Sequence, residues 1–496
     1  MSALQVQALS LTLDGKVLVD GVSFDVEPGE CLAIVGESGA GKSLTATALL
    51  GLSPRGSSVT FTKMLVDGID THGFTQSNWR SIRGNRIALV SQDALVSLDP
   101  LRRIGTEVAE PLVIHTRLSR QERHTRVQEL LASVAMPDPQ LRATQYAHEL
   151  SGGLRQRALI ASALAAQPRV LIVDEPTTAL DTTVQAHVLA LLRSIVDSGT
   201  AVVFVSHDFA AVRRIADRVL VMQGGRVVEV GPVSQVMRTP HHEHTRELVA
   251  ASVLATPVGK AAPREVLLEA SAVSRSYGAV AAVDDASFVV WRGATLGIVG
   301  ESGSGKTTLA RMIVGVDAPD QGVLRWHKSS RVQLVHQNPL GAFDPRWTIG
   351  RSVREALAAG GVPRAMRRAR ATELLQEVGL DAALARRRPT QLSGGQRQRA
   401  AIARALAVEP EVLVLDEPVS ALDPTVRGRV LALLRRLQRE RDLTMIFVSH
   451  DLGVVAAIAD SVLVMQAGKI VEQGATATVF GSPQHPFTQE LLAARQ

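Results

Sequence analysis

One pattern written twice limits what this chain can fold into more than anything else about it. FDVEPGECLAIVGESGAGKS (residues 24–43) returns as FVVWRGATLGIVGESGSGKT (288–307) at an offset of 264, and RVLIVDEPTTALD (169–181) returns as EVLVLDEPVSALD (411–423) at an offset of 242. Between these anchors LSGGLRQR (150–157) is answered by LSGGQRQR (392–399). A self-similarity of this length predicts two copies of one domain. The second copy is shorter by 22 positions, nineteen of them lost between the phosphate-loop lysine and the following VSQD or VHQN, a stretch in which FTKMLVDGIDTHGFTQSNWRSIRGNRI shrinks to VLRWHKSSRV in an early β region, and three more before the second LSGG segment.

Each half runs through a β-rich stretch, an apolar strand with a glycine loop, a helical stretch and further β/α segments, which predicts an α/β fold with a parallel sheet flanked by helices. ATPVGKAAPRE (255–265), rich in proline, glycine and small residues, reads as the join, so the domains are expected at 1–254 and 266–496. At 496 residues each copy can bury its own core. Composition is 46% hydrophobic and 21% charged, and no apolar run reaches the roughly 18 to 20 residues of a membrane helix. The opening MSALQVQALSLTLDG alternates like a first strand and lacks a secretion signal, which points to the cytoplasm. Cys31 is the only cysteine, so an internal disulfide and a cysteine-ligated cluster within this chain are excluded. A net charge of +6, with arginines interleaved among acids and only 3% aromatic residues, reads as a solvated surface rather than a nucleic-acid groove.

Chemistry is concentrated in three motifs per half. GESGAGKS (Gly36, Glu37, Ser38, Gly39, Ala40, Gly41, Lys42, Ser43) and GESGSGKT (Gly300, Glu301, Ser302, Gly303, Ser304, Gly305, Lys306, Thr307, followed by Thr308) both satisfy G-x-x-x-x-G-K-[ST] between an apolar strand and a helical run. Glycines let the loop amides turn inward on phosphate oxygens, and the following helix adds its positive end. Lys42 and Lys306 are expected on the β and γ phosphates, Ser43 and Thr307 on Mg²⁺. LIVDE and LVLDE are apolar strands ending in paired acids: Asp174 or Asp416 suits the Mg²⁺ shell through a bridging water, and Glu175 or Glu417 suits polarisation of the attacking water.

The full order in each half resembles the ATP-binding domain of ABC transporters over nearly the whole chain: phosphate loop, a glutamine after a strand (Gln92, Gln337), LSGG-x-R-Q-R, strand-DEP, S/T-ALD, then S-H-D. That resemblance implies two P-loop NTPase domains, each with a RecA-like core, a β subdomain and a helical subdomain, in a head-to-tail pseudo-dimer. It implies that Ser151, Gly152 and Gly153 complete the site of the second phosphate loop, and Ser393, Gly394 and Gly395 that of the first. It further implies Gln92 and Gln337 as Mg²⁺ and water contacts, His207 and His450 as γ-phosphate sensors, and Asp181 and Asp423 as links between sites. Tyr277 lies 23 residues before Gly300, where the family stacks an aromatic on adenine, and Leu13 takes that place in the first half. No catalytic residue is missing from either half, so ATP hydrolysis at both sites is expected.

QDALVSLDPLRRIGTEVAEPL, QNPLGAFDPRWTIGRSVREAL and the terminal SPQHPFTQELLAA resemble the oligopeptide, dipeptide and nickel importer group. The resemblance implies two membrane permease subunits as partners, an extracytoplasmic solute-binding protein indirectly, no nucleic acid, and a peripheral location at the cytoplasmic face of the inner membrane. The iron–sulfur cluster of many peptide-importer ATPases is not expected with Cys31 alone. TPHHEHTRELVAA in the first half has Glu243 and His244 where the second has Pro486 and Phe487; His241, His242 and His244 read as a solvated turn in preference to a metal site. Two other readings are a tandem ABC protein acting on ribosomes or nucleic acid, against which the short linker speaks, and the ATPase of a sugar importer, which would carry a more degenerate second half. A peripheral ATPase touches permeases and not cargo, so the sequence does not choose among peptides, modified peptides and nickel chelates.

Overall fold

The computed structural model describes residues 2–91, 97–176, 182–252, 265–278, 280–328, 330–420 and 422–493. The chain divides into two compact units, the first formed by Met1–Leu180 with Val184–Val253 and the second by Asp181–Thr183 with Leu254–Gln496. Each repeats one architecture.

In the first unit, β1 (Leu4–Leu13) and β2 (Lys16–Val26) form an antiparallel hairpin; β3 (Cys31–Gly36) leads into α1 (Lys42–Ala48); β4 (Ser57–Thr60), β5 (Lys63–Val66) and β6 (Ile69–Asp70) precede α2 (Gln76–Ile82) and β7 (Ile87–Val90). Helices α3 (Ile104–His115), α4 (Arg120–Ser133), α5 (Pro139–Thr144) and α6 (Gly152–Leu164) come next. Then β8 (Val170–Asp174), α7 (Thr182–Asp197), β9 (Ala201–Val205), α8 (Phe209–Ile215), β10 (Arg218–Gln223), β11 (Arg226–Pro232), α9 (Val233–Arg238) and α10 (Glu243–Ser252) complete it. The central sheet runs β11-β10-β3-β9-β8-β7, parallel throughout except for β11. A second, antiparallel sheet runs β2-β1-β5-β6, with β4 also on β1.

Strands covered on both faces have no reason to alternate polar and apolar residues, and β3, β8 and β9 are buried at every position. Their side chains still divide by face. Cys31, Ala33 and Val35 join the core shared with the helices, whereas Leu32 and Ile34 join the core shared with the antiparallel sheet. The central sheet is thus the wall between two apolar layers, and its strand ends are fixed from both sides.

In the second unit β12 (Val266–Tyr277), β13 (Val280–Trp291), β14 (Thr295–Gly300), α11 (Lys306–Val314), β15 (Gln321–Trp326) and β16 (Val332–Val335) precede α12 (Ile349–Ala359), α13 (Arg367–Glu377) and α14 (Gly394–Leu406). They are followed by β17 (Val412–Asp416), α15 (Pro424–Arg441), β18 (Thr444–Val448), α16 (Leu452–Ile458), β19 (Ser461–Gln466), β20 (Lys469–Ala475), α17 (Thr476–Gly481) and α18 (Pro486–Ala493). Its central sheet, β16-β17-β18-β14-β19-β20, repeats the first strand for strand, but its antiparallel sheet has three strands, β13-β12-β15. The shortening seen in the sequence removes the counterparts of β6 and α2. In the first unit α2 carries Trp79, which packs where a Cβ on Gly51 would fall 2.5 Å from the indole, while Arg83 donates to the Leu50 and Gly51 carbonyls beyond α1. The second unit closes its phosphate-loop helix without that brace, on Gly315 in the left-handed conformation. No helix among the described residues is long and apolar enough to cross a membrane.

Candidate nucleotide sites

In an α/β sheet a ligand site forms at the carboxyl ends of the parallel strands, and the sequence motifs collect there. β3 ends at Gly36, whose φ of +155° is matched by a backbone approach so close that a Cβ would lie 2.3 Å from the Met222 carbonyl; at Gly300, ending β14, the corresponding distance to the Met465 carbonyl is 2.2 Å. Only glycine fits either place. The chain then loops through Glu37–Gly41 or Glu301–Gly305, with Ser38, Gly39, Ser302 and Gly303 exposed, and starts α1 or α11 at the lysine. The Lys42 ammonium donates to the carbonyls of Gly36 and Glu37 at 2.9 and 3.0 Å, and that of Lys306 to those of Gly300 and Glu301 at 2.8 and 2.6 Å. Each loop is curled around its own cation. Ser304 adds a hydroxyl 3.5 Å from Lys306, where the first unit has Ala40.

One residue further on, the Ser43 hydroxyl donates to Asp174 at 3.1 Å, and the Thr307 hydroxyl to Asp416 at 3.2 Å. Burial pushes both aspartate carboxyls above their ordinary range, against the pull of the hydroxyl. A hard cation takes oxygen donors such as these, so the serine or threonine and aspartate pairs fit Mg²⁺ chemically.

The next residue turns sharply. Glu175 and Glu417 both have φ of +46°, and their amides donate to the Val205 and Val448 carbonyls at 2.9 and 3.0 Å. A left-handed backbone at a non-glycine residue is costly, and here it recurs at the same place in both units. The turn brings each carboxylate to a histidine: Glu175 lies 3.1 Å from His207 Nδ1, and Glu417 3.0 Å from His450 Nδ1. In the second unit Gln337 Nε2 also donates to Glu417 at 2.9 Å. Burial opposes the ionised form of Glu417, but the His450 hydrogen bond and charge, with Lys306, hold its carboxyl below the ordinary range. Burial likewise disfavours the charged His450 imidazole, and the Glu417 contact overrides it and raises the ring.

The histidines owe their position to neighbours the sequence reading passed over. Ser206 and Ser449 accept from the amides of Asp208 and Asp451 at 3.0 Å, and those aspartates cap α8 and α16. The signal was present as the first and last letters of S-H-D. Gln92 and Asp181 lie outside the described residues. Asp423 caps α15, accepting from Val426 at 2.9 Å. Tyr277 and Leu13 each end the first strand of their unit; Tyr277 donates to Asp317 at 3.0 Å and lies 5.3 Å under the Arg275 guanidinium.

Ser151 and Ser393 are the N-caps of α6 and α14, each accepting from the amide three residues on, at 3.4 and 3.3 Å. The Gln396 side chain also accepts from the Ser393 amide at 3.0 Å, a reciprocal cap that Leu154 cannot make. Within the glycine pair the two members differ. A Cβ on Gly153 would lie 2.3 Å from Val184 Cγ1, and one on Gly395 equally close to Val426 Cγ1, whereas on Gly394 the nearest atom is 3.6 Å away. The second glycine of each signature is therefore required for packing against α7 or α15, in addition to any ligand it meets.

The HHEH stretch differs from the solvated turn expected. The amides of His241 and His242 donate to the Glu229 carboxylate at 2.9 and 3.1 Å, as those of Gln484 and His485 do to Glu472 in the second unit. His244 then sits in α10, buried at 4% exposure where the second unit buries Phe487. Among the described residues no group of three His, Cys, Asp or Glu side chains is placed to hold a metal ion.

The family model described as ABC transporter matches residues 19–178 and again 283–420. The chain is 42% identical to the peptidoglycan transport ATP-binding protein YejF of Agrobacterium fabrum, over 97% of this chain and 93% of that protein. It is 40% identical to the glutathione import ATP-binding protein GsiA of Escherichia coli K12, over 96% and 86% of the two chains. Among solved structures, the RNase-L inhibitor superposes with a TM-score of 0.67 at 21% identity, over 97% of this chain and 94% of that one, a likeness of fold.

Proposed function

This chain belongs to the ABC transporter family, and we propose that within it the chain is the tandem ATPase subunit of an importer for peptides or related solutes. It binds ATP, and hydrolysis of ATP is its chemistry. The observation that carries the reading is the matched pair of strained glutamates, Glu175 and Glu417, each turned onto a histidine one strand away. The glutamate–histidine pair recurs in both units, which supports turnover at both. Import, and a cargo of peptide-like solutes, are inferred from what the two relatives are named for.

In each unit the loop lysine, Lys42 or Lys306, would exchange its carbonyl contacts for phosphate oxygens. Ser43 with Asp174, and Thr307 with Asp416, would hold Mg²⁺, which when bound neutralises charge on the phosphates. Glu175 and Glu417 would polarise the attacking water, and His207 and His450 would orient those carboxylates. The serine-capped signatures, Ser151 to Gly153 and Ser393 to Gly395, would each offer a glycine-rich helix start to a γ-phosphate, so that ATP favours a closed state. Two permease subunits would receive that motion and hold the chain at the membrane as a peripheral protein.

The test has two arms. Replacing both Glu175→Gln and Glu417→Gln should lower phosphate release by about a hundredfold or more, the usual worth of a positioned general base, with ATP binding retained; unchanged hydrolysis would remove both residues from catalysis. Purification from membranes should bring down two apolar permease chains, and their absence would remove the importer assignment while leaving the ATPase.

A further inference from the structure

The two units share a helical region built on one plan, and its charge differs sharply between them. From Asp99 to Glu149 the first unit has seven arginines and seven acids, whereas from Asp344 to Gln391 the second has ten arginines and five acids. The excess gathers where the chain entering α12 meets the segment before the signature. In the first unit the Ile104 amide donates to the Gln145 carbonyl at 2.9 Å, and in the second the Ile349 amide donates to the Arg387 carbonyl at 2.9 Å. Gly105 and Gly350 likewise approach the carbonyls of Ala143 and Ala385 with the same 2.9 Å spacing to an added Cβ. The backbones correspond position by position, so Thr144, Gln145 and Tyr146 of the first unit stand where the second has Arg386, Arg387 and Arg388.

All three arginines are exposed, and none forms an ion pair with a described acid. Arg346 and Arg351, also exposed, lie on the chain entering and opening α12, beside Ile349. Asp344 is committed to Arg346 at 2.8 Å, and Arg351 stacks 4.2 Å over the half-buried Trp347. In the first unit the arginines of this region are used internally: Arg102 pairs with Glu107 and Glu110, and Arg103 lies over Tyr146. Repulsion among neighbouring cations is the cost of the second unit's arrangement, and an anionic surface offsets it.

We propose that the exposed arginine cluster of Arg346, Arg351 and Arg386–Arg388 binds anionic phospholipid headgroups, giving the chain a direct contact with the membrane surface in addition to its permeases. This rests on the importer reading only for the premise that the chain works at a membrane. Guanidinium suits a phosphodiester, to which its planar fork donates two hydrogen bonds, and several of them on one surface attract a negatively charged leaflet additively.

The full chain is tested for co-sedimentation with phosphatidylcholine vesicles with and without phosphatidylglycerol. The chain should bind the anionic vesicles alone and be released by high salt. Replacing Arg386→Gln, Arg387→Gln and Arg388→Gln together should lower partitioning roughly a hundredfold, from about fivefold per arginine, while basal ATPase and thermal unfolding stay unchanged. Lysine at the same three positions should restore most of the binding. A control with Arg435→Gln and Arg439→Gln removes charge elsewhere in the unit and should bind like the parent. No binding to anionic vesicles, equal binding by the glutamine triple variant, or an equal loss in the control overturns the proposal. The vesicles contain no permease, so failure of the permease purification leaves this result standing, and the reverse also holds.

Discussion

Tyr277 and Leu13 occupy one position in two copies, and the difference between them is where the two sites should first diverge. Each closes the first strand of its unit, opposite Val280 or Lys16 across the hairpin. Tyr277 is held by Asp317 and Arg275 in a fixed attitude with its ring half exposed. Stacking of a positioned aromatic is worth on the order of 1 kcal/mol, so ATP should bind about fivefold more tightly at the second site. Leu13→Tyr should narrow the gap. Titrating a fluorescent ATP analogue into single-site variants, Lys42→Ala and Lys306→Ala, measures it, and equal affinities or a tighter first site would sink the idea. His244 makes a second residue-level contrast. Its Nε2 is buried with no hydrogen-bond partner among the described residues, in the place the second unit gives to Phe487. An unsatisfied buried polar atom costs about 1–3 kcal/mol. His244→Phe should raise the melting temperature of the first unit, read by calorimetry; a lowered one would mean that the imidazole has a use.

At the level of elements, the signature helices show what the sequence could and could not reveal. That α6 and α14 begin at LSGG follows from serine as N-cap and the apolar run behind it. That the second glycine is a packing residue does not, because the clashing atom, Val184 or Val426, belongs to a helix more than thirty positions away. Gly153→Ala should therefore cost about 1–3 kcal/mol through overpacking, and Val184→Ala in the same chain should restore most of it. Gly394→Ala, whose Cβ would make only an ordinary 3.6 Å contact with Leu422, should leave stability unchanged. Denaturant midpoints of the three variants decide this: destabilisation by Gly394→Ala as great as by Gly153→Ala would place the constraint elsewhere. Loss of ATPase in Gly394→Ala without loss of stability would instead mark a glycine kept for its ligand. The shortened β region divides the same way. Its deletion is plain from the offsets, but only the structure shows that β6 and α2 are the elements removed, since their register on β5 and the packing of Trp79 on Gly51 are long-range contacts.

For the whole molecule, repetition made the fold legible: motifs that are weak singly become strong when they recur in order, and the central sheets correspond strand for strand. The reactive geometry was less so. Paired acids after an apolar strand point to catalysis, yet the left-handed turn at Glu175 and Glu417 depends on amide bonds to β9 and β18, which no local pattern encodes. The duplication also complicates measurement, since most probes report both units together. Cys31 does not. It is the chain's only thiol, fully buried in the central strand β3 of the first unit. Burial, helped by the nearby Asp217 carboxylate, pushes it far above the ordinary thiol range. A thiol so placed is neither accessible nor ionised, so reagents should leave it unlabelled in native buffer and react only as the first unit opens. Because β3 ends in the phosphate loop at Gly36, nucleotide held there by Lys42 stabilises the strand's unit by mass action. ATP should slow the labelling further under conditions where opening limits it, and Lys42→Ala should abolish that protection while Lys306→Ala preserves it. Labelling at the rate of a free cysteine in native buffer would contradict the burial of β3, and protection lost equally in both lysine variants would mean that the thiol senses the second site as strongly as its own.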